Sequence, residues 1–112
     1  MTKFLVLYRS SVSATDQMAA ATPEQAETGM AAWMEWAGRN REAIVELGSP
    51  LGGVAHVTGE AVSGANSDVS GYSIVQADSK DAAVELFKDH PHLRTPGDSS
   101  IDVLEFLPMP GT

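Results

Sequence analysis

Gly71–Leu107 reads GYSIVQADSKDAAVELFKDHPHLRTPGDSSIDVLEFL. A short apolar strand, Tyr72 to Ala77, runs into a helix that Asp78 or Ser79 can cap. The apolar face of that helix is Ala82, Ala83, Leu86 and Phe87, the spacing of one helical side. The helix ends in His90-Pro91-His92. Pro91 to Ser100 is a loop, and Ile101 to Leu107 is a further strand. Two of the chain's three histidines sit at that turn, so chemistry is sought there first.

Upstream, Phe4-Leu5-Val6-Leu7-Tyr8 is a continuous apolar run, as in a strand covered on both faces. Arg9 to Ala21 is small and polar and reads as a loop. Thr22-Pro23-Glu24-Gln25 opens a helix, with Thr22 as cap, Pro23 at the first helical position and Gln25 completing a capping box. Apolar residues recur at Ala26, Met30, Trp33, Ala37, Ile44 and Leu47, with Asn40 interrupting the stripe. Glu35 and Arg39 can pair one turn apart. Gly48 and Pro50 then end the helix. Leu51 to Val57 reads as the second strand. Thr58 to Ser70, rich in Gly, Ser, Asn and Asp, reads as a long hairpin connection. The tail Pro108–Thr112 pairs poorly in a sheet.

The order is strand, helix, strand, strand, helix, strand in one domain of residues 1–112. This predicts an α+β, ferredoxin-like βαββαβ fold, a four-stranded antiparallel sheet with two helices on one face. The fourth strand sends Ile101, Val103 and Leu107 one way and Leu104 and Phe106 the other. A sheet apolar on both faces calls for a partner, and a second copy packed sheet to sheet is the simplest.

Composition bounds the function. Fifteen acidic and seven basic residues leave a net charge of -8. That argues against nucleic acid, where cations must replace phosphate counterions, and against an anionic membrane surface. The chain has no cysteine, which excludes disulfides, thiolate catalysis and cysteine-ligated metal. The absence of cysteine suits the cytoplasm. The apolar run at the N-terminus is too short for a secretory h-region, and no run approaches the ~20 residues of a membrane span.

The segments Lys3–Tyr8, Trp33-Met34-Glu35-Trp36, Gly48-Ser49-Pro50-Leu51-Gly52, Ser70–Val75 and His90-Pro91-His92-Leu93 together resemble the YCII-related family of small dimeric α+β barrel proteins. The resemblance spans nearly the whole chain. It implies a fold and a homodimer more than an activity. Some members carry a first-helix histidine thought to act with an aspartate. No histidine lies between Pro23 and Leu47 here, so that pair does not carry over. The family's frequent DGPF-type loop is also missing from Thr58–Ser70.

In this topology the first and second strands run parallel, so the three long connections share one end of the domain. Function concentrates in long loops on a rigid scaffold. Histidine is the usual general base near neutral pH. His92 is therefore the first catalytic candidate, with His90 beside it and Asp89, Asp98 or Asp102 to orient a ring. Tyr8, Arg9, His56, Arg94 and Trp33 are candidates for holding a small organic molecule, and Tyr8 or Arg94 for an oxyanion. Each has a structural alternative. His90 continues the helix stripe at a C-terminus that favours a charged ring. His56 sits on a strand, where packing accounts for it. Trp33 and Trp36 are spaced as core. The histidine spacing matches no zinc pattern, so neither metal nor cofactor is expected. No phosphate loop or nucleophile elbow is present.

The leading expectation is a cytoplasmic homodimer that binds a small organic molecule at the long-loop end, with general acid–base catalysis by histidine as an added possibility. The alternatives are a non-catalytic binding or accessory module with structural histidines and, by fold analogy alone, a cofactor-free oxygenase.

Overall fold

A computed structural model describes residues 1–64, 67–95 and 97–111 of the chain. Residues 65 and 66 of the expected 58–70 connection, residue 96 of the 91–100 loop and the final residue of the tail lie outside the described residues. The elements are β1 (Thr2–Arg9), α1 (Ala14–Ala20), α2 (Pro23–Arg39), β2 (Ile44–Pro50), β3 (Ala55–Val57), β4 (Val62–Gly64), β5 (Val69–Ala77), α3 (Lys80–Glu85), a 3-10 turn (Pro91–Arg94) and β6 (Ser100–Glu105).

The fold is α+β. Its main sheet has four strands in the order β2-β5-β1-β6, and β3 with β4 forms a separate two-stranded ladder. All pairings in the main sheet are antiparallel, an arrangement compatible with the ferredoxin-like expectation. Strand alternation divides β1 cleanly. Phe4, Val6 and Tyr8 are buried under the helices, while Leu5, Leu7 and Arg9 face the other side half-buried. The core joins Phe4, Val6, Tyr8, Val75 and Ala77 of the sheet to Trp36 of α2, Ala83 of α3 and Phe87, with Ile101 and Val103 packed against it. Leu104 and Phe106 point away from that core, 45% and 47% exposed.

The start of α2 follows its local signals. Thr22 Oγ1 accepts from the Gln25 N–H, and the Gln25 side chain accepts from the Thr22 N–H, closing the capping box. The end of α2 differs from the expectation. The helix stops at Arg39, and residues 44–47, expected to be its last turn, form β2 together with Gly48–Pro50, which were expected to end the helix. Asn40 is the reason. Its side-chain amide donates to the Trp36 carbonyl at 2.9 Å, capping the helix where the sequence shows a break in the stripe. Ile44, β-branched, then pairs with Val75 instead of continuing the helix.

Gly48 is therefore not a helix terminator but an irregularity inside β2. Its φ is 84°, and a Cβ there would lie 1.7 Å from the Tyr72 carbonyl oxygen. Met30 is also not core: it is 64% exposed.

Four further corrections follow from local hydrogen bonding. The expected loop Arg9–Ala21 contains α1, capped by Ser13 accepting from the Asp16 N–H. The expected second strand, Leu51–Val57, contributes only Ala55–Val57, and these pair with Val62–Gly64. β5 starts at Val69 instead of Tyr72. α3, capped by Ser79, ends at Glu85, and single turns carry the chain on to His90.

The end of the sheet is as expected. Arg9 pairs with Val69 and Ser100, and Pro50 with Gly71. The three long connections thus leave from the same end. Among the described residues no helix is long and apolar enough to cross a membrane.

Candidate functional site

The loop end is built around the rings of Tyr8, Trp33, Trp36, Phe87, His90 and His92. β1 delivers Tyr8 to the core face at its last turn before Arg9. α2 delivers Trp33 and Trp36, spaced to lie on one side of the helix. The turns after α3 deliver Phe87 and His90. Tyr8 stacks on His90 with centroids 5.0 Å apart and meets His92 edge-on at 5.3 Å. Trp33 and Trp36 stand across His90 at 4.3 and 4.4 Å. The sequence candidates Tyr8, Trp33, His90 and His92 are therefore brought together.

His90 is fully buried. Its Nδ1 accepts from the His92 backbone N–H at 3.0 Å, which caps the 3-10 turn. An accepting Nδ1 fixes the neutral tautomer, with the proton on Nε2. Nε2 is buried without a hydrogen-bond partner among the described residues. The ring stands at 86° to the Trp33 indole and 67° to that of Trp36, edge-on geometries in which an N–H can meet a π face. Burial pushes the His90 pKa down to about 3, and the neighbouring His92 and Arg94 side chains add to the effect while Asp89 opposes it.

His92 is buried too, at 4% exposure. Its Nε2 lies 2.8 Å from the carbonyl oxygen of Arg9. A carbonyl can only accept, so Nε2 carries a proton, and in the neutral ring the lone pair is then on Nδ1. Tyr8 donates its hydroxyl to Ser73 Oγ at 2.8 Å, because Ser73 in turn donates to the Leu47 carbonyl at 2.6 Å. Burial raises the Tyr8 pKa to about 12, partly offset by the Ser73 hydrogen bond.

The remaining candidates lie elsewhere. Asp89 does not orient either ring: its carboxylate pairs with Arg39 at 3.0 Å, and that hydrogen bond holds its pKa below the usual range. Arg9 offers its carbonyl to His92, but its guanidinium sits on the opposite face, bound by Asp68 and Asp102. Strand alternation imposes this split. Arg94 lines an open groove of about 590 Å³ with Thr22, Glu24, Gln25, Thr28 and Thr95, between the start of α2 and the 3-10 turn. His56 is exposed on β3, away from the rings. Asp98 sits in the loop before β6 with a φ of 48°.

Sequence reasoning missed Ser73, which fixes the Tyr8 hydroxyl. The signal was a serine on the core face of an otherwise apolar strand. It also missed Arg39 as the partner of Asp89, since sequence spacing pointed to Glu35. That pair is present but loose, at 3.9 Å. Among the described residues no three His, Asp or Glu side chains cluster as a metal site would need. Comparison with protein-family models finds none that matches the chain, and comparison with curated proteins finds no match.

Proposed function

We propose that the chain acts as a homodimeric, non-catalytic binding module of the ferredoxin-like, dimeric α+β barrel kind. Two sheets pack face to face through Leu5, Leu7, Ile74 and their counterparts. A small organic anion is taken up at the loop end beside Arg94. The observation that carries this reading is the enclosure of the histidine pair. His90 is a neutral cap sealed by aromatic rings, and His92 is tied to the Arg9 carbonyl. The open groove at this end presents Arg94 and threonine hydroxyls instead, with Glu24 as the one carboxylate among the described residues that line it. A guanidinium is suited to a carboxylate.

Titration of small carboxylates, followed by amide NMR shifts, tests the reading. Shifts should fall on Thr28, Arg94 and Thr95, vanish in Arg94→Ala, and survive in His92→Gln. Binding lost in His92→Gln and kept in Arg94→Ala would overturn it. Light scattering at micromolar protein should report twice the chain mass; a monomer would remove the dimer.

A second reading is a general acid–base enzyme using His92. It is favoured by the fixed tautomer, since a carbonyl holding Nε2–H leaves Nδ1 as a positioned base. Turnover of a carbonyl-containing compound, lost in His92→Gln, would select it.

A further inference from the structure

The β3–β4 hairpin has no body to lie on. Residues 55–64 are all exposed. Val57 and Val62 face each other across the ladder, each 70% exposed. A two-stranded hairpin is marginal alone in water. The Cα radius of gyration is 15.5 Å, against about 13 Å for a compact chain of this length, as an extended shape with a projecting element would give.

A second feature is equally unpartnered. β6 is an edge strand. Phe106 N–H donates to the Lys3 carbonyl, so by antiparallel alternation Leu104 and Asp102 bond inward to β1 and the backbones of Ile101, Val103 and Glu105 point outward. An open groove of about 610 Å³ runs along this edge, lined by Val84, Phe87, Leu93, Ile101, Val103 and Leu104. A free strand edge beside an apolar groove invites another strand.

Each feature supplies what the other lacks. The hairpin has free strand edges and bare valines, and the groove has a free edge and an apolar lining. The hairpin's only charged residue, Glu60, also complements in sign Lys88, which lines the groove at the surface and within its own chain pairs with Glu85 at 2.6 Å. Within the chain the two do not meet, since residues 55–64 are all exposed. The hairpin leaves the sheet after β2, at the opposite edge from β6, three strand spacings or about 14 Å away.

We propose that the β3–β4 hairpin of one protomer lies in the β6 groove of its partner. Val57 and Val62 pack against the partner's apolar lining, and one hairpin edge extends the partner's sheet beyond β6. A two-fold axis parallel to the strands, between the facing sheets, brings the β2 side of each copy over the β6 side of the other. Both hairpins then dock and the assembly closes. This inference rests on the dimer reading above and adds to it which segments cross between copies.

Two measurements test it. The first is the dimer dissociation constant of Val57→Glu/Val62→Glu, by sedimentation. Both side chains are exposed, so folding should be retained, as circular dichroism would report. The constant should rise at least tenfold. The second uses the absence of native cysteine. A spin label on Ser63→Cys in an unenriched chain, mixed with 15N-enriched wild type, should broaden the amides of Leu93, Ile101, Val103 and Leu104. Any such broadening is between copies. An unchanged constant, or no broadening along β6, overturns the hairpin docking and leaves the dimer reading standing. A wild-type monomer overturns both.

Discussion

The Nδ1 atom of His90 accepts the backbone N–H of His92 across the Pro91 turn at 3.0 Å. One ring thus ends the path from α3 and starts the 3-10 turn that carries His92. That bond requires His90 to stay neutral, and the surrounding aromatic rings enforce it. A protonated His90 would lose the cap and place a charge among Tyr8, Trp33, Trp36 and Phe87.

This relationship makes stability depend on pH in a stated direction. The folded pKa of His90 is about 3, against 6.5 for a free imidazole. Above pH 6.5 neither state binds the proton and there is no effect. As pH falls from about 6.5 toward 3, the unfolded chain takes up a proton that the folded chain refuses, and stability drops. Charges facing the ring come from His92, Arg94 and Asp89. Melting temperatures should fall through this window in wild type and fall less steeply in His90→Asn, which keeps a short polar cap. Parallel profiles would contradict a buried neutral His90.

The Tyr8 hydroxyl gives the opposite window. Its folded pKa is raised to about 12 from 10.0, so between those values the unfolded chain loses a proton that the folded chain keeps. Stability should decline as pH rises from 10 to 12. Tyr8→Phe should remove that decline. At neutral pH it should cost about 1 kcal/mol, the net worth of a typical hydrogen bond, because Ser73 still donates to the Leu47 carbonyl. Urea unfolding at pH 7 and at pH 11 measures both effects.

Gly48 is a backbone requirement. Its φ of 84° and the position of the Tyr72 carbonyl leave no room for a Cβ. Gly48→Ala should destabilise by ~2 kcal/mol or more, since left-handed backbone strain alone costs ~1–3 kcal/mol and a clash adds to it. Gly59→Ala, where nothing lies within 4 Å, is the control and should be near neutral by chemical denaturation.

The proposed sheet-to-sheet contact can be broken without touching the hairpin. Ile74 is half-buried on the face away from the helices, paired with Leu5. Ile74→Glu should leave a folded monomer, because two copies would bring like charges together across the interface. Light scattering with circular dichroism reads both properties. A dimer of unchanged affinity would place the contact elsewhere.

Much of the core was legible in the sequence, for a local reason. The alternation of Phe4, Val6 and Tyr8 marks one face of a strand. The Thr22/Gln25 box and the Ser79 cap each complete themselves within four residues. Such signals need no knowledge of the rest of the chain.

What only the tertiary structure decided were choices between partners distant in sequence. Ile44 and Leu47 fit the period of α2, yet the open edge of β5 beside Ile44 and the Asn40 cap turned them into β2. Asp89 stood next to His90 in sequence, yet Arg39 took its carboxylate. Arg9 stood next to Tyr8, yet alternation put its side chain on the opposite face and left only its carbonyl for His92. Periodicity and capping are free-energy differences settled within a turn or two. Register, burial and ion pairing are settled by whatever surface long-range packing brings near, and no local pattern encodes that surface.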